Sequence, residues 1–248
     1  MIILKSPQEI GRMRLPCRIV AEILELIKGE VKPGVTTLAL NEIAEREAAK
    51  HKSRPAFKGY NGYPYSLCCS VNEQVVHGMP TSRELREGDI ISLDFGVVYG
   101  GFFGDAAITL PLGDVADSAK RLMKVAERSL NAAIEAANLT NRLFDISYAV
   151  QSYVEEQGFT VVREFVGHGI GKSLHEDPQV PNYGLQGRGI RLKTGMVLAI
   201  EPMINEKGPE VRVLDDGWTA VTRDGGLSAH FEHTVAITEA GPEILTKL

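Results

Sequence analysis

Apolar and polar positions along this 248-residue chain fall into two patterns: helix-length stretches opened by capping residues, and short strand-like apolar runs that end in, or open on, an acid. Ser6-Pro7-Gln8-Glu9 has the form of a capping box with proline at the first helical position, and it predicts a helix over about 7–28. Pro16 lies inside that stretch and predicts a kink, because proline removes one helical N–H and crowds the preceding turn. Val31-Lys32-Pro33-Gly34 reads as a turn, after which Thr36 or Thr37 caps a second helix reaching about Lys50. Strands and loops fill the chain to about Leu112. A second cycle follows, with helices over about 117–137 and 143–157, a stop at Gly158 and a strand over 160–166. Helix, helix and strands thus occur twice without a Ser/Gly/Pro-rich or charged linker. This predicts an α+β fold in which two intimate halves, about 1–113 and 114–248, share one curved sheet as a single domain.

The short runs carry the chemistry. Residues 90–106 read as a β-hairpin turning near Tyr99-Gly100 or Gly100-Gly101. With the first turn Asp94 faces Asp105 directly; with the second they sit diagonally, on the same face in both cases. Converging carboxylates raise each other's pKa unless a cation lies between them. The segment from Leu192 through Gly195 to Glu201 mirrors the one from Leu85 through Gly88 to Asp94, with a turn glycine, an apolar stretch and a carboxylate at the same offset, which reads as a diverged internal duplication. Pro202 biases Glu201 towards extended backbone. Glu232 opens the last apolar strand, and His168 lies among glycines that permit close approach to a bound group. A lone acid at a strand end is ordinarily solvated. Asp94, Asp105, His168, Glu201 and Glu232 together form a hard, oxygen-rich donor set with one imidazole, suited to Mn, Fe or Co and compatible with Zn; a structural zinc site would use cysteine.

Composition narrows the setting. The net charge of -5 argues against a dedicated nucleic-acid binder. No apolar run is long enough to span a bilayer and no signal-peptide core opens the chain, so the expected location is the cytoplasm. Of the three cysteines, Cys68 and Cys69 are adjacent and leave only Cys17 as a partner, which does not make a disulfide framework. Other motifs fail on inspection. Gly171-Lys172-Ser173 resembles the end of a phosphate loop, but Val166 stands where the first glycine is required. His175-Glu176 lacks a second zincin histidine, since Gln179 occupies that place and Pro178 would break the helix. There is no nucleophile-elbow serine and no cysteine-protease signature at Cys68, so activated water is favoured over a nucleophilic side chain.

The ordered acids and His168, with Val76-His77-Gly78, Gly167-His168-Gly169-Ile170-Gly171 and Leu174-His175-Glu176-Asp177-Pro178, resemble the type I methionine aminopeptidase family over almost the whole chain. The resemblance implies the pita-bread fold, two pseudo-symmetric halves around a central curved antiparallel sheet with helices outside. It also implies two divalent metal ions (Co, Mn, Fe or Zn) held by Asp94, Asp105, His168, Glu201 and Glu232. It implies a methionine pocket lined by Tyr60, Tyr63, Cys68, Leu174 and Trp218, with His77 and His175 facing substrate. Aromatic faces and a thiol suit a thioether. The implied activity is removal of the initiator methionine from nascent polypeptides with a small second residue. Glu201 acts as general base, His175 hydrogen-bonds the substrate carbonyl and His77 contacts the scissile amide nitrogen. Nascent N-termini are the implied partners, with a monomer and contact with the ribosome as further expectations. By this specificity the Met1-Ile2 start would keep its own methionine.

Three departures from the family pattern stand out: Leu174 where an aromatic is common, Leu15-Pro16 in the first helix, and Asn138-Leu139-Thr140-Asn141 in place of a Pro-Gly turn. None touches a ligand. The rival readings are another pita-bread peptidase, either an Xaa-Pro aminopeptidase or a dipeptidase, and a non-catalytic binding protein on the same fold. Against the first, the capping box at Ser6 opens the catalytic unit almost at once.

Overall fold

The computed structural model describes residues 1–248. Helix α1 (Pro7–Glu30) begins with a complete capping box, in which Ser6 Oγ accepts the Glu9 amide and the Glu9 carboxylate accepts the Ser6 amide. It continues without a break past Pro16, which is buried beside Met13 and Cys17. Helix α2 (Thr37–Lys50) is capped by Thr36, whose hydroxyl accepts the Ala39 amide at 3.1 Å. Thr37 exchanges hydrogen bonds with Thr81 instead. Helices α3 (Asp117–Ala136) and α4 (Leu143–Glu156) form the second pair. Between them Asn138 Oδ1 accepts the Thr140 amide and Asn141 Nδ2 donates to the Ala136 carbonyl, so side-chain amides close the turn that a Pro-Gly pair would otherwise make.

The first strands are β1 (Arg54–Pro55), β2 (Leu67–Val71), β3 (Gln74–Val76), β4 (Ile90–Tyr99) and β5 (Phe102–Pro111). After the second helix pair come β6 (Thr160–Val161), β7 (Gly167–Gly169), β8 (Glu176–Val180), β9 (Val197–Ile200) and β10 (Met203–Asn205). The chain ends with β11 (Val211–Val213), β12 (Ala220–Thr222), β13 (Ser228–His230), β14 (Glu232–Thr238) and β15 (Gly241–Ile244). The main sheet has the order β1-β4-β5-β14-β9-β7-β8, with β2 also on β4 and β15 also on β14. Its β5–β14 pairing joins the strands of the two helix-helix-strand cycles. Two three-stranded sheets, β13-β10-β6 and β11-β12-β3, complete the fold. The strand expected over 160–166 stops at Val161. Phe165 then packs edge-on against His77, with ring centroids 5.3 Å apart, and turns the chain towards the interior instead of along the sheet.

Strand alternation sorts the two faces of the sheet. On β4, Ile91, Leu93, Phe95 and Val97 are buried with Ile23 and Ile27 of α1 and Leu40 and Ala44 of α2 in one apolar cluster. Leu198 and Ile200 of β9 and Val235 and Ile237 of β14 are buried with Leu122 and Leu130 of α3 and Val150 of α4 in another. All four helices therefore cover one face, and the alternate residues of the same strands are released to the other. Close approach on the helix side requires Gly104: a Cβ there would lie 2.7 Å from the Cys17 amide nitrogen and 2.9 Å from the Pro16 carbonyl carbon.

The two turns that launch the acid-bearing strands match in detail. Gly88 and Gly195 have φ of 89° and 90°, a left-handed conformation that glycine adopts without penalty. In each, the following amide closes the turn at 3.1 Å, from Asp89 to the Arg86 carbonyl and from Met196 to the Lys193 carbonyl. No helix is long and apolar enough to cross a membrane.

Candidate metal centre

Register places the acids. Tyr99 pairs with Phe102, so the hairpin turns at Gly100-Gly101, the second of the two expected registers, and both glycines have positive φ. Asp94 then lies opposite Ala107 and Asp105 opposite Gly96, diagonal to one another on one face. Ala107 is in turn opposite Glu232, which makes Asp94, Ala107 and Glu232 a row across three strands. Ile200 pairs with His233, so Glu201, the next residue, falls beside Glu232. His168 pairs with Ala199, itself opposite Thr234 of the same face. Gly96 leaves room for the Asp105 carboxylate, since a Cβ there would come within 3.1 Å of Oδ1.

Donor atoms of Asp105, His168 and Glu232 lie within 4.8 Å of one another, and so do those of Glu201, His230 and Glu232. The Gly169 carbonyl, 2.9 Å away, accepts from His168 Nδ1, which leaves Nε2 free and 3.6 Å from Glu201 Oε1. Burial drives the pKa of Asp94, Asp105, Glu201 and Glu232 upward, and for Asp105 the charges of Asp94 and Glu201 add to it. Burial lowers His168 to about 3, so its imidazole is neutral, the form that ligates. Asp94 Oδ1, Asp105 Oδ1 and Glu232 Oε1 are buried without any hydrogen-bond partner. Buried groups of this kind are ordinarily paired. Orphaned carboxylate oxygens around a neutral imidazole fit a divalent cation, which relieves both the repulsion and the missing partners.

Beside the acids opens a cavity of about 300 Å³, lined by Tyr60, Tyr63, Cys68, His77, Leu174, His175 and Trp218 as well as by Asp94, Asp105, His168, Glu201 and Glu232. The pocket residues singled out in the sequence are thus brought to the same space as the acids. Tyr63 stands edge-on to Trp218 at 5.2 Å, and its hydroxyl donates towards the carbonyls of Leu67 and Gly78. Cys68 is opposite Asp94 in register, and burial, then the Asp94 charge, pushes its thiol pKa up; it is a neutral wall group and not a nucleophile. Tyr60 Oη and His175 Nδ1 share a 2.7 Å hydrogen bond, and the His175 ring is perpendicular to that of His168 at 4.3 Å. His77 has φ of 59°, uncommon for a residue with a Cβ, and burial lowers its pKa to about 4.

His175 rides on a pinned turn. Glu176 Oε1 accepts the amides of Lys172 and Ser173, and Glu176 Oε2 pairs with Lys5 Nζ at 2.6 Å, with both side chains at most 5 % exposed. The sequence reading missed this pair, as it missed the cavity residues Phe57, Phe165 and Met203 and the buried His230, whose Nε2 is 3.4 Å from Glu201 Oε2. For His230 a signal was present, because residues two apart on an extended chain share a side and Glu232 was already assigned.

Comparison with known proteins points likewise to a metallopeptidase. The model of metallopeptidase family M24 matches residues 11–239. The chain is 55 % identical over 246 residues to a Clostridium perfringens protein named methionine aminopeptidase, with 99 % of each chain covered. It is 53 % identical over 248 residues to a Bacillus subtilis protein named methionine aminopeptidase 1, with both chains fully covered. The crystal structure of methionine aminopeptidase from Thermotoga maritima superposes with a TM-score of 0.98 at 48 % identity, covering 100 % of each chain. The architecture is the pita-bread fold.

Proposed function

The chain belongs to metallopeptidase family M24, and on that premise we propose that it is a methionine aminopeptidase, which hydrolyses the initiator methionine from nascent polypeptides whose second residue is small. One observation carries the reading: buried, unpartnered carboxylate oxygens of Asp94, Asp105 and Glu232 line the same cavity as Tyr63, Cys68 and Trp218, so a hydrolytic centre adjoins an apolar, aromatic slot. Asp94, Asp105, His168, Glu201 and Glu232 would hold two divalent ions drawn from Mn, Fe, Co or Zn. When bound, such ions supply Lewis acidity, which polarises a carbonyl and lowers the pKa of water.

The protein's own groups do the rest. Glu201, which lines the cavity with Oε1 3.6 Å from His168 Nε2, takes a proton from the attacking water. His175, oriented through Nδ1 by Tyr60, offers Nε2 to the substrate carbonyl as negative charge develops on its oxygen. His77 contacts the scissile amide nitrogen. Tyr60, Tyr63, Cys68, Leu174 and Trp218 receive the thioether side chain, and Leu174 in place of an aromatic leaves one wall aliphatic. The matched turns at Gly88 and Gly195 support reading the halves, about 1–113 and 114–248, as a duplication within one catalytic domain. The substrates, N-termini of new chains, put the enzyme in the cytoplasm near the ribosome, acting as a monomer.

Parallel assays on Met-Ala-Ser, Ala-Pro and Xaa-Pro-Xaa peptides test the reading. Methionine release from the first alone is expected, whereas turnover confined to the proline peptides would make the chain an Xaa-Pro peptidase.

A further inference from the structure

His230 stands beside the acids but is not among the five ligands assigned so far. It is 1 % exposed, and its Nε2 has no hydrogen-bond partner. The backbone fixes the residue, because its amide donates to Thr109 Oγ1 at 2.9 Å and its carbonyl accepts from the same hydroxyl at 2.7 Å. The side chain is aimed at the acids. His230 Nε2 lies 3.4 Å from Glu201 Oε2, while His168 Nε2 lies 3.6 Å from Glu201 Oε1, so one imidazole flanks each oxygen of one carboxylate. Although 3.4 Å is within reach, the direction of Nε2 misses Glu201 Oε2 and no hydrogen bond forms.

A free ring nitrogen facing carboxylates has the bearing of a ligand rather than of a donor. Donor atoms of Glu201, His230 and Glu232 make a triad within 4.8 Å, a counterpart to Asp105, His168 and Glu232 that shares Glu232 with it. We infer that His230 is a further protein ligand of the metal centre, supplying the Glu201 side with an imidazole as His168 supplies the Asp105 side. The inference rests on the proposed metal centre and assigns its nitrogen donors. A second imidazole moves the site's preference from Mn, which favours oxygen, towards Co, Fe and Zn.

Proton NMR of the cobalt-loaded protein tests this directly, because each coordinated imidazole carries one exchangeable ring N–H that the paramagnetic ion shifts far downfield. Two such signals are expected in the wild type, a count that needs no variant, and one remains in His230→Gln. Equilibrium dialysis of the same variant is expected to show Zn²⁺ affinity down by roughly tenfold and Mn²⁺ affinity nearly unchanged, since imidazole favours zinc. A single shifted signal in the wild type, kept in His230→Gln, or an equal loss of Zn²⁺ and Mn²⁺ affinity, would reduce His230 to a support for Glu201 and overturn the assignment. Two signals from a protein that releases no methionine leave the ligation standing and remove the aminopeptidase reading.

Discussion

Lys5→Met isolates the buried ion pair that pins the turn carrying His175. Lys5 Nζ and Glu176 Oε2 are 2.6 Å apart with side chains 4 % and 5 % exposed, so removal of the lysine strands a carboxylate away from water. Breaking such a pair from one side costs about 3–5 kcal/mol, several times the value of a surface pair. For a chain of this length that corresponds to a fall in Tm of about 6–20 °C. The double variant Lys5→Met/Glu176→Gln removes the stranded charge yet keeps an acceptor for the Lys172 and Ser173 amides, and about half of the loss should return. Urea unfolding of the wild type, both single variants and the double variant gives the coupling energy. A Lys5→Met loss below about 1 kcal/mol, or additive single-variant losses, would mean that the pair contributes no more than a surface ion pair.

Three further outcomes follow from the same geometry. Glu201→Gln should lower kcat by about 10²- to 10⁴-fold, as loss of a general base does, and wild-type turnover in a peptide assay would remove the assignment. Gly104→Ala drives a methyl into the Pro16–Cys17 backbone and should destabilise the protein by about 1–3 kcal/mol in urea unfolding, whereas a neutral effect would contradict the packing of α1 on β5. In the metal-free protein the carboxylates have folded-state pKa values raised above their unfolded ones, so the native state holds protons that the unfolded chain has released. Stability then falls as pH rises from 6.5 to 8, by about 1.4 kcal/mol per unit for each proton retained. Below about 6.5 the buried histidines, lowered in pKa, contribute in the opposite direction and flatten the slope. Urea midpoints that stay level or rise between pH 6.5 and 8 would contradict this.

Much of the molecule was legible in the chain because local chemistry and the tertiary fold agree. Ser6 and Glu9 make the capping box that their spacing predicts, and Gly88 and Gly195 have the backbone that their offsets demand. The candidate ligands were legible from local signals: alternation in the hairpin for Asp94 and Asp105, a matched offset for Glu201, a strand opening for Glu232 and flanking glycines for His168. What stayed hidden depends on pairing between distant segments. Lys5 and Glu176 are unremarkable until the fold joins them, whereas His230, two residues before Glu232, carried a signal that alternation offered. The strand expected over 160–166 ends at Val161, and Phe165 packs edge-on against His77 in the cavity lining instead of continuing an edge. The hairpin register stayed open for the same reason, since Tyr99-Gly100 and Gly100-Gly101 both satisfy turn chemistry and only the ladder selects between them.

The role proposed for these acids is to bind divalent metal for cleavage of N-terminal methionine. Free methionine released from a Met-Gly-Met-type peptide, measured on one preparation after chelation and again after Mn²⁺ or Co²⁺ is returned, tests it most directly. The stripped protein should release none, and reloading should restore release of the first residue. Release that chelation leaves unchanged, or a reloaded protein that cleaves nothing, would contradict it.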